Sequence, residues 1–169
     1  MKALLVVAFK DFQDKEYSDT REGIEKKKIK IEVASTEKGK AQGKFGTIVE
    51  VDWLLNEVNI NNYVALVFIG GVGAIKYFEN KEVLDLVNEA YQGGKIVAAI
   101  CCAPLILKRA GILKDKKVTV YPDPDYVSEI SKESEYLNEK VIVDGKIVTA
   151  SGPWAAIEFG ETIAKILRK

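Results

Sequence analysis

Ile96-Val97-Ala98-Ala99-Ile100-Cys101-Cys102-Ala103-Pro104-Leu105 passes from an unbroken apolar run into a helical pattern with no loop between them. A strand that is apolar at every position is buried on both faces, the habit of parallel sheets. Working outward, further apolar runs alternate with segments of helical period along the whole chain, the pattern of an α/β domain with a parallel sheet. The spacing predicts strands over 2–8, 29–34, 47–51, 64–69, 95–100, 117–121, 141–143 and 147–150. It predicts helices over 15–26, 81–92, 103–110 and 154–167, with Gly111 closing the third as a left-handed cap. Val143-Asp144-Gly145-Lys146 reads as a hairpin turn. No repeat or linker interrupts the 169 residues, so residues 1–169 are expected to form one domain. The first helix offers only Tyr17 and Ile24 as apolar residues and is expected at the rim, loosely packed.

Composition removes several function classes. The 25 basic and 25 acidic residues balance, and the lysine clusters lie beside acids, so no nucleic-acid partner is expected. The apolar run 3–9 is too short to span a membrane and meets Lys10 and Asp11 at once, so no membrane partner is expected and the location is read as cytoplasmic. Cys101 and Cys102, the two cysteines, are adjacent and unsuited to an ordinary structural disulfide, which fits a reducing compartment. Lysine outnumbers arginine 22 to 3, a bias that points toward a thermophilic source. Histidine is absent, which removes the commonest general base.

In open α/β sheets ligands bind at the carboxyl ends of the strands, so the residues there are the first candidates. A nucleophile on a strand-to-helix elbow needs small residues two positions before and after it. Ala99 and Ala103 supply them around Cys101, whereas Ile100 and Pro104 would crowd a turn centred on Cys102, which is read as a packing residue. The helix that follows is expected to turn its N–H groups toward the Cys101 sulfur and favour the thiolate. Gly70-Gly71-Val72-Gly73 follows a buried strand and lets backbone N–H groups approach a ligand; it lacks the lysine of a phosphate-binding loop. The first strand is followed by Asp11, Asp14 and Glu16, among which spacing does not choose, and Tyr121 ends another strand with a hydroxyl to offer.

Ala-Ala-Ile-Cys101-Cys-Ala-Pro after Gly70-Gly71, with Phe12-Gln13-Asp14-Lys15-Glu16, Tyr121-Pro122 and Ser151-Gly152-Pro153, resembles the ThiJ/PfpI superfamily, also called DJ-one-like. The resemblance runs along nearly the whole chain. It implies a three-layer, flavodoxin-like sandwich with a mostly parallel sheet and helices on both faces. It also implies a nucleophilic Cys101, a carboxyl partner in Glu16, oxyanion donors in the N–H groups of Gly71 and Cys102, and a homodimer or higher homo-oligomer. Two departures bear on activity: Cys102 stands where peptidase-like members carry histidine, and Ala74-Ile75 lacks the acid expected after the glycine pair. Ser151 replaces the arginine of members nearer DJ-one.

The function expected first is therefore a cofactor-free, cysteine-dependent enzyme of the glyoxalase or deglycase kind. Its partner would be a small 2-oxoaldehyde or a damaged protein side chain, with Cys101 and Glu16 catalytic, Gly70, Gly71, Cys102 and Tyr121 binding, and no metal. A redox-sensing stress protein or chaperone that uses Cys101 oxidation is the alternative. An intracellular cysteine peptidase comes third, weakened by the missing histidine.

Overall fold

The structure, a computed structural model, describes residues 1–169. Its centre is a seven-stranded sheet built from β1 (Lys2–Val6), β3 (Lys30–Ser35), β6 (Trp53–Leu54), β7 (Ala65–Phe68), β8 (Ile96–Ile100), β11 (Val141–Asp144) and β12 (Ile147–Ala150). The strand order is β11-β12-β8-β7-β1-β3-β6. Every neighbour is parallel except β11, which pairs antiparallel with β12 through the Asp144-Gly145-Lys146 turn, where Gly145 takes φ +60°. This is the parallel-sheet α/β domain that the apolar runs predicted, with the mostly parallel sandwich that the resemblance implied.

Alternate residues of each strand face opposite cores. Ala3, Leu5, Val67 and Ala98 pack under α1 (Asp14–Glu25) and α5 (Ala156–Leu167). Leu4, Val6, Phe68 and Ala99 pack under α2 (Lys81–Gln92) and α3 (Pro104–Arg109). Both sheet faces are covered, which is why the central strands need no polar positions. Gly111 takes φ +83° just past α3, as a left-handed cap should.

Several elements differ from the sequence reading. The strand expected over 47–51 is β5 (Ile48–Val51), and it lies outside the main sheet. It pairs antiparallel with β4 (Gly39–Gly43), which joins β2 (Lys10–Phe12) in a small separate sheet. β2 and β4 carry Lys10, Asp11, Lys40 and Gln42, so no apolar run announced them. The strand expected over 117–121 shrinks to β9 (Lys117–Val118), paired with β10 (Glu135–Tyr136), because beyond it the chain bonds to side chains and to the Cys101 turn. A fourth helix, α4 (Pro124–Ile130), follows it, capped by the Asp123 side chain on the N–H groups of Asp125 and Tyr126.

The first helix is not a loose rim element. α1 meets α5 where Gly23 and Gly160 replace side chains with backbone contact: a Cβ on Gly160 would fall 2.3 Å from the Thr20 carbonyl oxygen, and one on Gly23 would fall 2.7 Å from the Ile157 oxygen. Apolar periodicity is blind to helices that pack through glycine. At its start, Gln13 accepts the Glu16 N–H at 2.8 Å. Asp14 accepts the N–H groups of Phe45 and Thr47 at 2.9 and 2.8 Å, tying the β4–β5 hairpin to the helix. Burial alone would raise the Asp14 carboxyl, but these bonds hold it below its ordinary value.

Candidate active site

Cys101 follows β8 directly and takes φ +65°, a left-handed conformation that costs a residue with a Cβ roughly 1–2 kcal/mol. Three bonds hold the turn there: the Cys101 N–H donates to the Ala150 carbonyl at 2.9 Å, the Tyr121 N–H donates to the Cys101 carbonyl at 2.8 Å, and Ala103 closes back on Ile100 at 3.1 Å. Ala99 and Ala103 are both fully buried, as the close approach of strand and helix requires. The cost of the turn is met by its surroundings, the pattern found where strain serves a site.

The glycine pair after β7 faces this turn. A Cβ on Gly70 would lie 2.7 Å from the Cys101 Cβ, 2.7 Å from Glu16 Oε2 and 2.8 Å from the Ile100 oxygen, so only glycine admits all three groups. Gly71 takes φ +106° and presses against the backbone of Asp11, Phe12 and Gln13. Its N–H donates to no protein carbonyl, and neither does that of Cys102, which is directed at the Cys101 sulfur. Backbone donors that have no carbonyl partner beside a half-buried thiol can receive an oxygen that develops negative charge.

Among the three acids of the first loop the tertiary structure chooses Glu16. It is fully buried, and its Oε2 accepts the Gly70 N–H at 2.9 Å. Its Oε1 is buried without a hydrogen-bond partner, and Oε2 and the Cys101 Cβ crowd the same side of Gly70, which sets the carboxyl beside the thiol. Asp11 is exposed with φ +63°, and Asp14 is spent on the hairpin. Burial first, and then the Cys101 sulfur, raises the Glu16 carboxyl well above its ordinary value; the Gly70 N–H opposes this and loses.

The expected activation by a helix N-terminus needs correction. α3 begins only at Pro104 and runs six residues, and the Cys101 thiol is raised, not lowered. The Cys102 side chain is the first cause and burial the second, while the Glu16 hydrogen bond and the Cys102 N–H pull the other way. Both shifts favour the protonated forms, a thiol beside a carboxylic acid, and the reactive form has lost one proton and shares the other. Cys102 itself is buried, with its sulfur 3.4 Å from the Gly71 oxygen, so it packs as expected and also sets its neighbour's ionisation.

Five of the residues expected at the site, Cys101, Glu16, Gly70, Gly71 and Cys102, meet at this point, and Tyr121 joins them through its backbone N–H on the Cys101 carbonyl, its ring half-exposed. Two aromatic neighbours escaped that reading. Trp154 lies tilted against Tyr121 with ring centroids 5.7 Å apart, and its indole N–H donates to Ser151 Oγ at 3.0 Å. Tyr126, on α4, has its phenol raised by burial and then by the charges of Cys102, Asp123 and Cys101. A lone tryptophan and a tyrosine in an unforeseen helix carry no spacing signal that could have found them. The chain contains no histidine, and no group of three or more Cys, Asp or Glu side chains is arranged to hold a metal ion. No helix is long and apolar enough to cross a membrane.

Comparison with known proteins converges on one family. The model of the DJ-1/PfpI family matches residues 1–166. Among relatives, the uncharacterized protein MJ0967 of Methanocaldococcus jannaschii is 41% identical over 170 residues, covering 99% of this chain and 83% of the relative. Deglycase PfpI of Pyrococcus furiosus is 30% identical over 165 residues, covering 98% and 99%. Among solved structures, a ThiJ/PfpI domain protein of Brachyspira murdochii superposes with a TM-score of 0.94 at 33% identity, covering 99% of this chain and 96% of that one.

Proposed function

The chain belongs to the DJ-1/PfpI family, and from that premise we propose that it is a cofactor-free, cysteine-dependent enzyme of deglycase-like type acting on small 2-oxoaldehydes. The observation that carries the reading is the buried Glu16 carboxyl, held by the Gly70 N–H beside the Cys101 thiol. A group that must take a proton from one carbon and return it to the next needs this placement and this elevated affinity for protons. The relatives named deglycases, at about 30% identity, support the same class.

In the one-proton state the Cys101 thiolate adds to the aldehyde carbon, and Glu16 delivers its proton to the new oxyanion, giving a hemithioacetal. The N–H groups of Gly71 and Cys102 stabilise that oxygen while it is charged. Glu16, now a carboxylate, removes the hydrogen from the former aldehyde carbon and returns it to the neighbouring carbon. The product is a 2-hydroxy thioester. Water cleaves the thioester, releasing the hydroxy acid and restoring the thiol. Methylglyoxal plus water thus becomes lactate, with no external oxidant or reductant.

No histidine is needed for these steps, whereas peptide cleavage requires a group to protonate an amine leaving group, and the chain offers no imidazole. Incubation of the protein with methylglyoxal and assay of lactate tests the proposal. The wild type is expected to turn over, and Cys101→Ser and Glu16→Gln to fall by about a hundredfold or more. Equal lactate from all three would end it.

A further inference from the structure

We propose that Trp154, together with Tyr121, forms a shelf beside Cys101 that receives a planar aromatic substituent on the ketone carbon of the substrate, so that aryl 2-oxoaldehydes are preferred to methylglyoxal. This rests on the 2-oxoaldehyde reading and names the substrate class within it. Both aromatic residues are tethered to the nucleophile's own backbone. Tyr121 donates its N–H to the Cys101 carbonyl, and Ala150, which accepts the Cys101 N–H, leads into the Ser151–Trp154 turn. Both side chains thus leave backbone that is bonded to, or three to four residues from backbone bonded to, the nucleophile's own turn.

The tryptophan is also fixed in orientation. Its ring lies across Gly152, where a Cβ would fall 2.6 Å from Cη2 and 2.9 Å from Cζ2 and Cζ3, and its indole N–H is satisfied by Ser151 Oγ. What remains outward is apolar carbon: Trp154 is 49% exposed and Tyr121 37%. The rings are inclined at 43°, so together they present a tilted surface and not a closed stack. The two lysine–aromatic contacts of the protein involve Tyr63 and Trp53, so no cation of the chain occupies this pair. A rigid, desolvation-ready aromatic surface of this kind rewards a flat neutral ring and gives nothing to a methyl group of the same polarity but little area.

Aromatic contacts of this type change binding by about two- to tenfold. The experiment compares kcat/KM for phenylglyoxal and methylglyoxal in the wild type, Trp154→Ala and Trp154→Phe. The phenylglyoxal-to-methylglyoxal ratio is expected to fall about fivefold in Trp154→Ala, mostly through KM, and to recover in Trp154→Phe. A second readout avoids turnover: in Cys101→Ser carrying Trp53→Phe, benzoylformate should quench the remaining Trp154 fluorescence saturably. If neither aldehyde is turned over but quenching occurs, the 2-oxoaldehyde reading fails and the shelf stands. An unchanged ratio, absent quenching, or loss of a dimer in Trp154→Ala with the ratio intact would overturn the shelf.

Discussion

Glu16 Oε2 accepts the N–H of Gly70 at 2.9 Å, and the same glycine is flanked by Cys101, so the buried carboxyl lies beside the thiol. One side chain thereby joins the first helix, the glycine turn and the nucleophile elbow, and the consequences reach stability as well as chemistry.

The first consequence concerns pH. Because the folded protein raises the Glu16 pKa, it keeps the proton while the unfolded chain loses it, so this group's contribution to stability falls as pH climbs above the unfolded value of about 4.3. Glutamine keeps the acceptor for Gly70 and cannot ionise. Thermal melts of Glu16→Gln and wild type should coincide near pH 4, and at pH 8 the variant should melt several degrees higher, at roughly 2–4 °C for each kcal/mol. A variant that melts lower at pH 8 would contradict the buried-acid assignment.

Removal of the neighbouring sulfur should release the nucleophile. The Cys102 side chain is the first cause of the raised Cys101 thiol, so Cys102→Ala should lower its pKa. Iodoacetamide labelling, resolved by mass at residue 101, should then accelerate at pH 8 in proportion to the larger thiolate fraction, about tenfold if the pKa falls by one. The wild-type rate should climb only above the ordinary thiol range of about 8.5.

The elbow's backbone reverses a familiar ranking. Glycine normally costs a folded protein about 1 kcal/mol relative to alanine, but at φ +65° alanine keeps the left-handed penalty and glycine does not. Cys101→Gly should therefore be at least as stable as Cys101→Ala in urea melts, and both should be inactive. A glycine variant about 1 kcal/mol weaker would mean that the turn is not strained.

Helix contact should reach the site from a distance. Gly160→Ala would place its Cβ 2.3 Å from the Thr20 carbonyl, four residues after Glu16 on the same helix. Overpacking of this kind costs roughly 1–3 kcal/mol. The melting point should drop, and lactate formation should drop further than the folded fraction does, because α1 carries the acid. Full activity in a destabilised protein would show that α1 moves without Glu16.

Much of this was legible in the chain itself. Unbroken apolar runs such as Ile96–Ile100 specify strands buried on both faces, and Ala99 and Ala103 mark the elbow and select Cys101 over Cys102, because local sterics are set by residue size at fixed spacing. Four determinations needed the tertiary structure. Spacing left Asp11, Asp14 and Glu16 open and the resemblance alone named Glu16; the physical ground, burial against Gly70, came from the folded chain. The tight seat of α1 depended on Gly23 meeting Gly160 from the far end of the chain. Trp154 came beside Tyr121 through the strand order that sets β12 next to β8. The sign of the Cys101 shift, opposite to that expected from a helix terminus, follows from burial and from Cys102. Residue type and spacing determine what is local, whereas burial and the electrostatics of a buried pair depend on neighbours distant in sequence, and those exist only once the chain is folded.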